Sequence, residues 1–585
     1  MAAPLEGYAS VVSAAPGEAI DFHVRSDAAH GDVALNIYRR GIADTLLRTA
    51  HGAAFVAGPQ DDAVLAVQGC GWPADPQLRT VVPAEWSSGY YVAIATANGA
   101  SCTMPFLVRA AAPNPSGILL KISDTTAQAY NGWGGLSFYS TPPAAVISFD
   151  RPSDVGLYEI YQRPFLAWAE KKGVSFDVCS SLDVHFNPRL LEPYRLFVSL
   201  GHDEYWSLEM RDQVEAFIAA GGNAAFFSAN TCYWQIRVNF TNGQRQIVCY
   251  KEGEAGHSPD PQRDDPSRIT CAWYDSPVLR PENSMTAVSY RNGAGWWVDP
   301  VVAERRYRGY TVVAPEHPLL RGTALSAGDE FGRGTSLDDA ILGYETDAAL
   351  LDGTRPTGTD GTPLVFVPLA TADLRDWEPN GKGGFATTGV YRRNGAVFTA
   401  ATVNWAGGLA GSAPVERITQ NVLADFTRAA NAIEVRNADF EAWAGAAPTE
   451  WIPDGAGSFA ASDVDEATLA NQFRFSRGGS HALEIDAQSG DTWIGQPGLT
   501  FDPGRSYAAG CWAKTDVAGA SIRLQTTDSW ADFATAGHSG SGKWEYLFAV
   551  GTIPSQQQTP CRIKLQVAAG AVAQFARVSA LALDP

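Results

Sequence analysis

The sequence predicts a multidomain α/β plus β protein: a central α/β core with a mostly parallel sheet, flanked by an N-terminal Ig-like β-sandwich and a C-terminal jelly-roll β-sandwich. Three observations lead there. At roughly 150 residues per domain, a chain of 585 residues makes about three to five domains. Apolar residues alternate with period two in residues 1–112 and again in 433–585, the pattern of half-buried strands. Between those regions, 113–432 alternates continuous apolar strands with helix signals, the pattern of α/β units.

In the first region Ile20, Phe22 and Val24 alternate with Asp21, His23 and Arg25, and Val33, Leu35 and Ile37 repeat the pattern. Pro113, Asn114, Pro115 and Gly117 then punctuate the chain before the apolar run GILLKI. In the middle region YRLFVSLGHDEYWSLEMRDQVEAFIAAGGNAAFFSANTCYW (194–234) reads as one βαβ unit. Ser207 is placed to cap a helix whose Met210, Val214, Phe217 and Ile218 share a face, and Gly221 and Gly222 end it. The two strands should be parallel, so the loops GHDEYW and NTCYW leave the carboxyl ends at which open α/β sheets bind ligands. Residues 236–300 read as a long excursion over that crevice. In the last region Arg562, Lys564 and Gln566 alternate with Ile563, Leu565 and Val567, and Trp493, Trp512 and Trp530 are candidate exposed aromatics.

Composition excludes several functions. A net charge of −20 disfavours nucleic acid and anionic lipid as partners. No apolar run approaches the ~20 residues of a membrane span, and the N-terminus lacks the pattern of a secretory signal, so a cytoplasmic location is expected. The eight cysteines are read mostly as free thiols, although Cys70 with Cys102, Cys249 with Cys271, and Cys511 with Cys561 lie within pairing reach in sequence.

The densest set of reactive side chains is His202, Asp203, Glu204, Tyr205 and Trp206 in GHDEYW, where a carboxylate and an imidazole at a strand end suit metal binding and proton transfer. The string GHDEYWS…MRD…GGNAAFFSANTCYWQIR, with TTAQAYNGWGG before it and GYETD and VNWAGGL after it, closely resembles the large (beta) subunit of bacterial N,N-dimethylformamidase. The resemblance implies an amidotransferase-like core and a mononuclear Fe(III) amidohydrolase acting on a small amide. It places metal ligands on Tyr130, Glu204 and one tyrosine of SSGYY, with His202, Asn230 and Glu345 as the surrounding catalytic groups. Tyr90 and Tyr91 compete for the SSGYY position. Tyr91 is chosen because the family pattern puts the tyrosine two residues after glycine, and because Tyr90 shares a strand face with Val92 and Ile94, taken as the sandwich side. The family also implies a small partner subunit, and a homo-oligomer is a further expected partner. Phenolate and carboxylate are hard oxygen donors suited to Fe(III) as a Lewis acid. Two other chemistries compete: a thiol nucleophile at Cys232 with His202, and a glycoside hydrolase using Glu204 and Glu345, to which a carbohydrate-binding C-terminal sandwich would belong. A non-catalytic binding protein is the third class.

Overall fold

The computed structural model describes residues 4–582 apart from 154, 241–242, 297–305, 337, 378–381, 393–394, 428–431, 434, 465–480, 500, 502, 528 and 554–560. It shows β-rich regions at either end of the chain around a smaller α/β core. The N-terminal region has a three-stranded sheet (Leu5–Ala9, Phe22–Ser26, Phe55–Val56) and a five-stranded sheet, in the order Ser13–Ala14, Ala100–Val108, Gly89–Ala97, Val33–Arg40, Asp44–Gly52. Phe22 and Val24 from one sheet meet Leu35, Ile37, Met104 and Phe106 from the other in a shared core.

The strand Gly89–Ala97 is buried on both faces. Tyr91, Ala93 and Ala95 point into the N-terminal core, whereas Tyr90 and Val92 join the core of the central region. The grouping of Tyr90 with Val92 and Ile94 is therefore right, but that face meets the α/β core and not the sandwich interior. Alternation tells which residues share a face; with apolar cover on both sides it does not tell which neighbour the face meets.

A nine-stranded sheet organises the centre, in the order Asp177–Ser180, Ile118–Ile122, Leu196–His202, Asn223–Ala229, Ala396–Thr399, Phe385–Arg392, Val367–Asp373, Tyr310–Val312, Glu330–Phe331. Its first five strands are parallel and the remaining pairings antiparallel. The sheet is thus half parallel. In its second half Val367–Asp373, Phe385–Arg392 and Ala396–Thr399 are neighbours in sequence joined without a helix, and such connections give antiparallel pairs. Leu120, Val198 and Ala225 pack on one side of the sheet and Leu119, Phe197 and Phe226 on the other, so the strands read as continuous apolar runs. Ser207 caps the helix Leu208–Ala219 by accepting from the Met210 N–H at 3.2 Å.

Part of the expected excursion after residue 236 is itself sheet. Trp234–Asn239 and Gln246–Val248 join Val146–Ser148 and Tyr205–Ser207 in a four-stranded layer beside the loop GHDEYW. In the C-terminal region a sheet containing Ser458–Asp463, His481–Asp486, Val572–Ala582, Ser506–Lys514 and Trp544–Thr552 faces a five-stranded sheet, with Leu483, Cys511, Ile522 and Leu565 between them. The first of these sheets docks on the centre: Trp512, Trp544 and Ala576 belong to the same buried cluster as Phe197, Trp206 and Tyr391. Trp512 is therefore buried, not a surface aromatic. All eight cysteines are free, so none of the three sequence pairings forms. Among the described residues no helix is long and apolar enough to cross a membrane.

Candidate active site

The strands Leu196–His202 and Asn223–Ala229 are adjacent and parallel, with His202 opposite Ala229, so GHDEYW and Asn230 leave the same sheet edge. Gly201 turns the chain there at φ +66. A Cβ at this position would lie 2.5 Å from the Tyr161 Cβ, which only glycine avoids. Asp203 faces away from the crevice: its buried carboxylate accepts from Lys121 Nζ at 2.5 Å and from Ser199 Oγ at 2.6 Å, anchoring the loop. Thr126 Oγ1 accepts from the Glu204 N–H at 2.9 Å, and Thr125 Oγ1 donates to the Tyr205 carbonyl at 2.8 Å. The helix Asp124–Tyr130 is thereby fastened to the loop, and its last residue, Tyr130, donates to Glu204 Oε2 at 2.8 Å. Buried Arg151 holds the exit of that helix by donating to the carbonyls of Gln128, Asn131, Trp133 and Leu136, a cation where the helix dipole favours one.

A second tyrosine completes the group. Tyr139 Oη donates to Glu204 Oε1 at 2.9 Å, its ring stacks on Tyr130 at 4.4 Å, and Tyr205 Oη donates to it at 2.7 Å. The residue is 46% exposed, so its ring edge opens to solvent while its hydroxyl faces inward. Lys251 Nζ lies 3.5 Å over that ring, with Tyr205 and Trp234 around it. Burial, and then Glu204, hold both the Tyr130 and Tyr139 phenols well above the usual tyrosine range. Burial also raises Glu204.

His202 sits between two carboxylates. Its Nε2 is 2.7 Å from Glu345 Oε2 and its Nδ1 is 3.9 Å from Glu204 Oε2. Burial alone would favour the neutral ring, but Glu345, Glu204 and Asp203 outweigh it and raise His202 to about 9. Asn230 Nδ2 donates to Glu345 Oε2 at 3.3 Å. The strand Glu345–Ala348 supports this arrangement twice. Two residues beyond Glu345, Asp347 accepts from the Asn230 N–H at 2.8 Å and the Thr231 N–H at 3.4 Å, holding Asn230 at φ +48. His202 Nδ1 and Asn230 Oδ1 are buried and have no hydrogen-bond partner among the described residues.

The structure thus brings Tyr130, Glu204, His202, Asn230 and Glu345 together and leaves Tyr91 out. Tyr91 is fully buried in the N-terminal core, stacked on Trp86 at 5.3 Å, and its hydroxyl donates to the Ser87 carbonyl at 2.7 Å. Tyr90 is no substitute, since its ring is stacked on Tyr158. Sequence reading placed Tyr205 in the reactive loop without giving it a role, and missed Tyr139 and Lys251. The available signal was the aromatic run around AYNGWGGLSFY, which carries Tyr139 nine residues after Tyr130. Cys232 packs in an apolar cluster with its thiol pushed up by burial, so it offers no nucleophile to the crevice. The imidazole of His202 fills the space between Glu204 and Glu345 that a glycosidase would give to sugar.

Among the described residues no group of three or more His, Cys, Asp or Glu side chains is arranged to hold a metal. The donor set here is of another kind: two phenol oxygens converge on the two oxygens of one carboxylate, beside two orphaned buried polar atoms. Such hard oxygen donors fit a highly charged, hard cation such as Fe(III), and a cation would offset the cost of burying them.

A sequence model of the family described as N,N-dimethylformamidase beta subunit-like, C-terminal, matches residues 23–421, more than half of the chain. No curated protein matches. Solved structures similar to parts of the chain include the enzymatically active domain of bacteriophage CBA120 tailspike protein 4, at 17% identity and TM-score 0.20 over 26% of this chain and 21% of that one. A CBM4 structure is 15% identical at TM-score 0.19, covering 26% of this chain and 99% of the other. The C-terminal family 22 carbohydrate-binding module of Clostridium thermocellum Xyn10B is 14% identical at TM-score 0.20, covering 25% and 90%.

Proposed function

The chain belongs to the N,N-dimethylformamidase beta subunit-like family, and from that premise we propose that it is a metal-dependent amidohydrolase, converting a small N-substituted amide of the formamide type to a carboxylic acid and an amine. The observation that carries the reading is the pair of tyrosine hydroxyls on the two oxygens of Glu204, with the His202–Glu345 pair beside them. Tyr130, Tyr139 and Glu204 would hold a single Fe(III), with Tyr139 taking the place expected for Tyr91. When bound, the ion supplies Lewis acidity, polarising the amide carbonyl and acidifying water.

The chain's own groups handle protons and orientation. Asn230 Oδ1, unpartnered and buried, is an acceptor that orients the attacking water. Glu345 takes the proton as the water oxygen bonds to the carbonyl carbon. His202, charged between its two carboxylates, presents Nδ1–H as a donor to the developing oxyanion and returns a proton to nitrogen as the C–N bond breaks. A tertiary amide has a poor leaving group, so that protonation is required. Metal analysis of the purified protein, with assay on a panel of formamides and acetamides, tests the reading. Two phenolates on Fe(III) should give a visible charge-transfer band; a colourless, iron-free protein active in excess chelator would overturn the proposal.

A further inference from the structure

The outer face of the C-terminal five-stranded sheet carries groups that the amide chemistry does not use. The other sheet of this region is docked on the centre through Trp512 and Trp544, so the five-stranded sheet turns its outer face away from that contact. Its strands Thr492–Leu499, Cys561–Val567 and Ala520–Thr526 set Trp493, Arg562, Lys564, Gln566, Arg523 and Gln525 on this face, because the intervening Ile494, Ile563, Leu565, Ile522 and Leu524 fill the core.

The aromatic groups have fixed orientation. The Arg562 guanidinium lies 4.1 Å from the Trp493 ring and 4.3 Å from the Trp530 ring. Trp493 leans across Gly495, where a Cβ would lie 3.2 Å from its ring and 3.3 Å from Arg562 Cδ. Trp530 is 58% exposed, and Gln525 Nε2 holds its backbone by donating to its carbonyl at 2.9 Å. An indole pinned by a cation on one side and open on the other is a platform for the C–H face of a sugar ring.

Charge narrows the class. Arg562 is 8% exposed and gives its Nε and Nη2 to the neutral Gln525 Oε1, while Lys564 Nζ lies 5.0 Å from the Trp493 ring. Among the described residues neither cation has a carboxylate within 4.0 Å, whereas Arg523 next to them is paired with Asp532 at 2.6 Å. Asp454, Asp532 and Asp491 act on these cations only from beyond ion-pair distance, and a partly desolvated cation without a direct ion pair is costly unless an anion completes it. Gln566, also on this face, donates its Nε2 to Asp491 Oδ2 at 3.3 Å, while its buried Oε1 has no partner among the described residues and is an acceptor for a hydroxyl.

We propose that this face binds an acidic saccharide, a uronate-bearing oligosaccharide whose ring stacks on Trp530 and whose carboxylate meets Lys564 and Arg562. The site is separate from the amidohydrolase reading and stands or falls alone. Isothermal titration of the full chain with a galacturonate hexamer and with a neutral xylose hexamer, at about 50 mM salt, tests it; short probes limit repulsion from the chain's net charge of −20. The acidic hexamer should bind at least about tenfold more tightly than the neutral one, with affinity falling as salt rises. Trp530→Ala and Lys564→Gln, both altering exposed or half-exposed side chains, should each weaken it about tenfold with the circular dichroism unchanged. Equal binding of the two hexamers, no binding of the acidic one at millimolar concentration, or full affinity in both variants would overturn the proposal.

Discussion

What separates the tyrosines of this chain is the atom each hydroxyl reaches. Tyr130 and Tyr139 reach Glu204, whereas Tyr91 reaches only the Ser87 carbonyl inside the N-terminal core. Tyr130→Phe and Tyr139→Phe are each expected to lose iron and activity, while Tyr91→Phe should keep both and lose about 1 kcal/mol of stability with its buried hydrogen bond. Iron content and kcat of the three variants check this; loss of iron in Tyr91→Phe with Tyr139→Phe intact would restore the sequence-based assignment. Glu345 is argued as a proton carrier outside the ligand set, so Glu345→Gln should hold iron near the wild-type level and lower kcat about 100-fold or more. Loss of iron instead would make it a ligand. At this scale GHDEYW and SANTCYW pointed to His202, Glu204 and Asn230, because two parallel strand ends fix where such groups lie, whereas Glu345 of GYETD was reached only through the family resemblance. Tyr139 was not legible, since its position follows from how the turn after Tyr130 folds around Arg151, a long-range fact no local period encodes.

Among the elements, the βαβ unit was readable because a continuous apolar strand, a capped helix and a glycine stop are all local signals. The antiparallel half of the central sheet was not, since the order of strands depends on which edges remain unpaired once the parallel half forms. The segment bearing Lys251 shows how such an irregular stretch is held. Asp260, fully buried, accepts from Arg237 Nη1 and Nη2 at 2.6 and 2.9 Å and from the Thr270 N–H at 2.8 Å. Burial alone would raise its carboxyl, but these hydrogen bonds prevail and hold it at about 2. An aspartate whose folded value lies below its unfolded value stabilises the fold above about pH 4, and that stability is lost as pH falls toward about 2. The contribution is about 2 kcal/mol. Asp260→Asn should therefore be destabilised at pH 7 and lose part of the acid dependence of unfolding between about pH 4 and pH 2; a variant that unfolds along the wild-type acid curve would show that Asp260 is not the clamp.

Across the whole molecule, every group of the candidate site lies before residue 348, yet the C-terminal region is not a loosely tethered addition. Trp512, Trp544 and Ala576 share one buried cluster with Phe197, Trp206 and Tyr391, so the outer face of a C-terminal sheet is continuous with the core beneath the loop GHDEYW. Two-layer sheets with a clear period-two pattern were legible at both ends of the chain; their docking was not, because Trp512 alternates like any solvent-facing residue and only its neighbour in space makes it core. A chain ending at Thr427 keeps Tyr130, Tyr139, Glu204, His202 and Glu345 and is expected to bind iron. It also uncovers the apolar surface that Trp512 and Trp544 now cover, so it should melt several degrees lower and bind a hydrophobic dye that the full chain excludes. Trp512→Ala in the full chain makes the same test without truncation: removing a buried indole from this contact should cost about 3 kcal/mol or more. If the shortened chain melts with the full one and takes up no dye, the contact contributes nothing to the centre; if it loses iron as well as stability, the sheet beneath Trp206 depends on that docking to keep Glu204 in place.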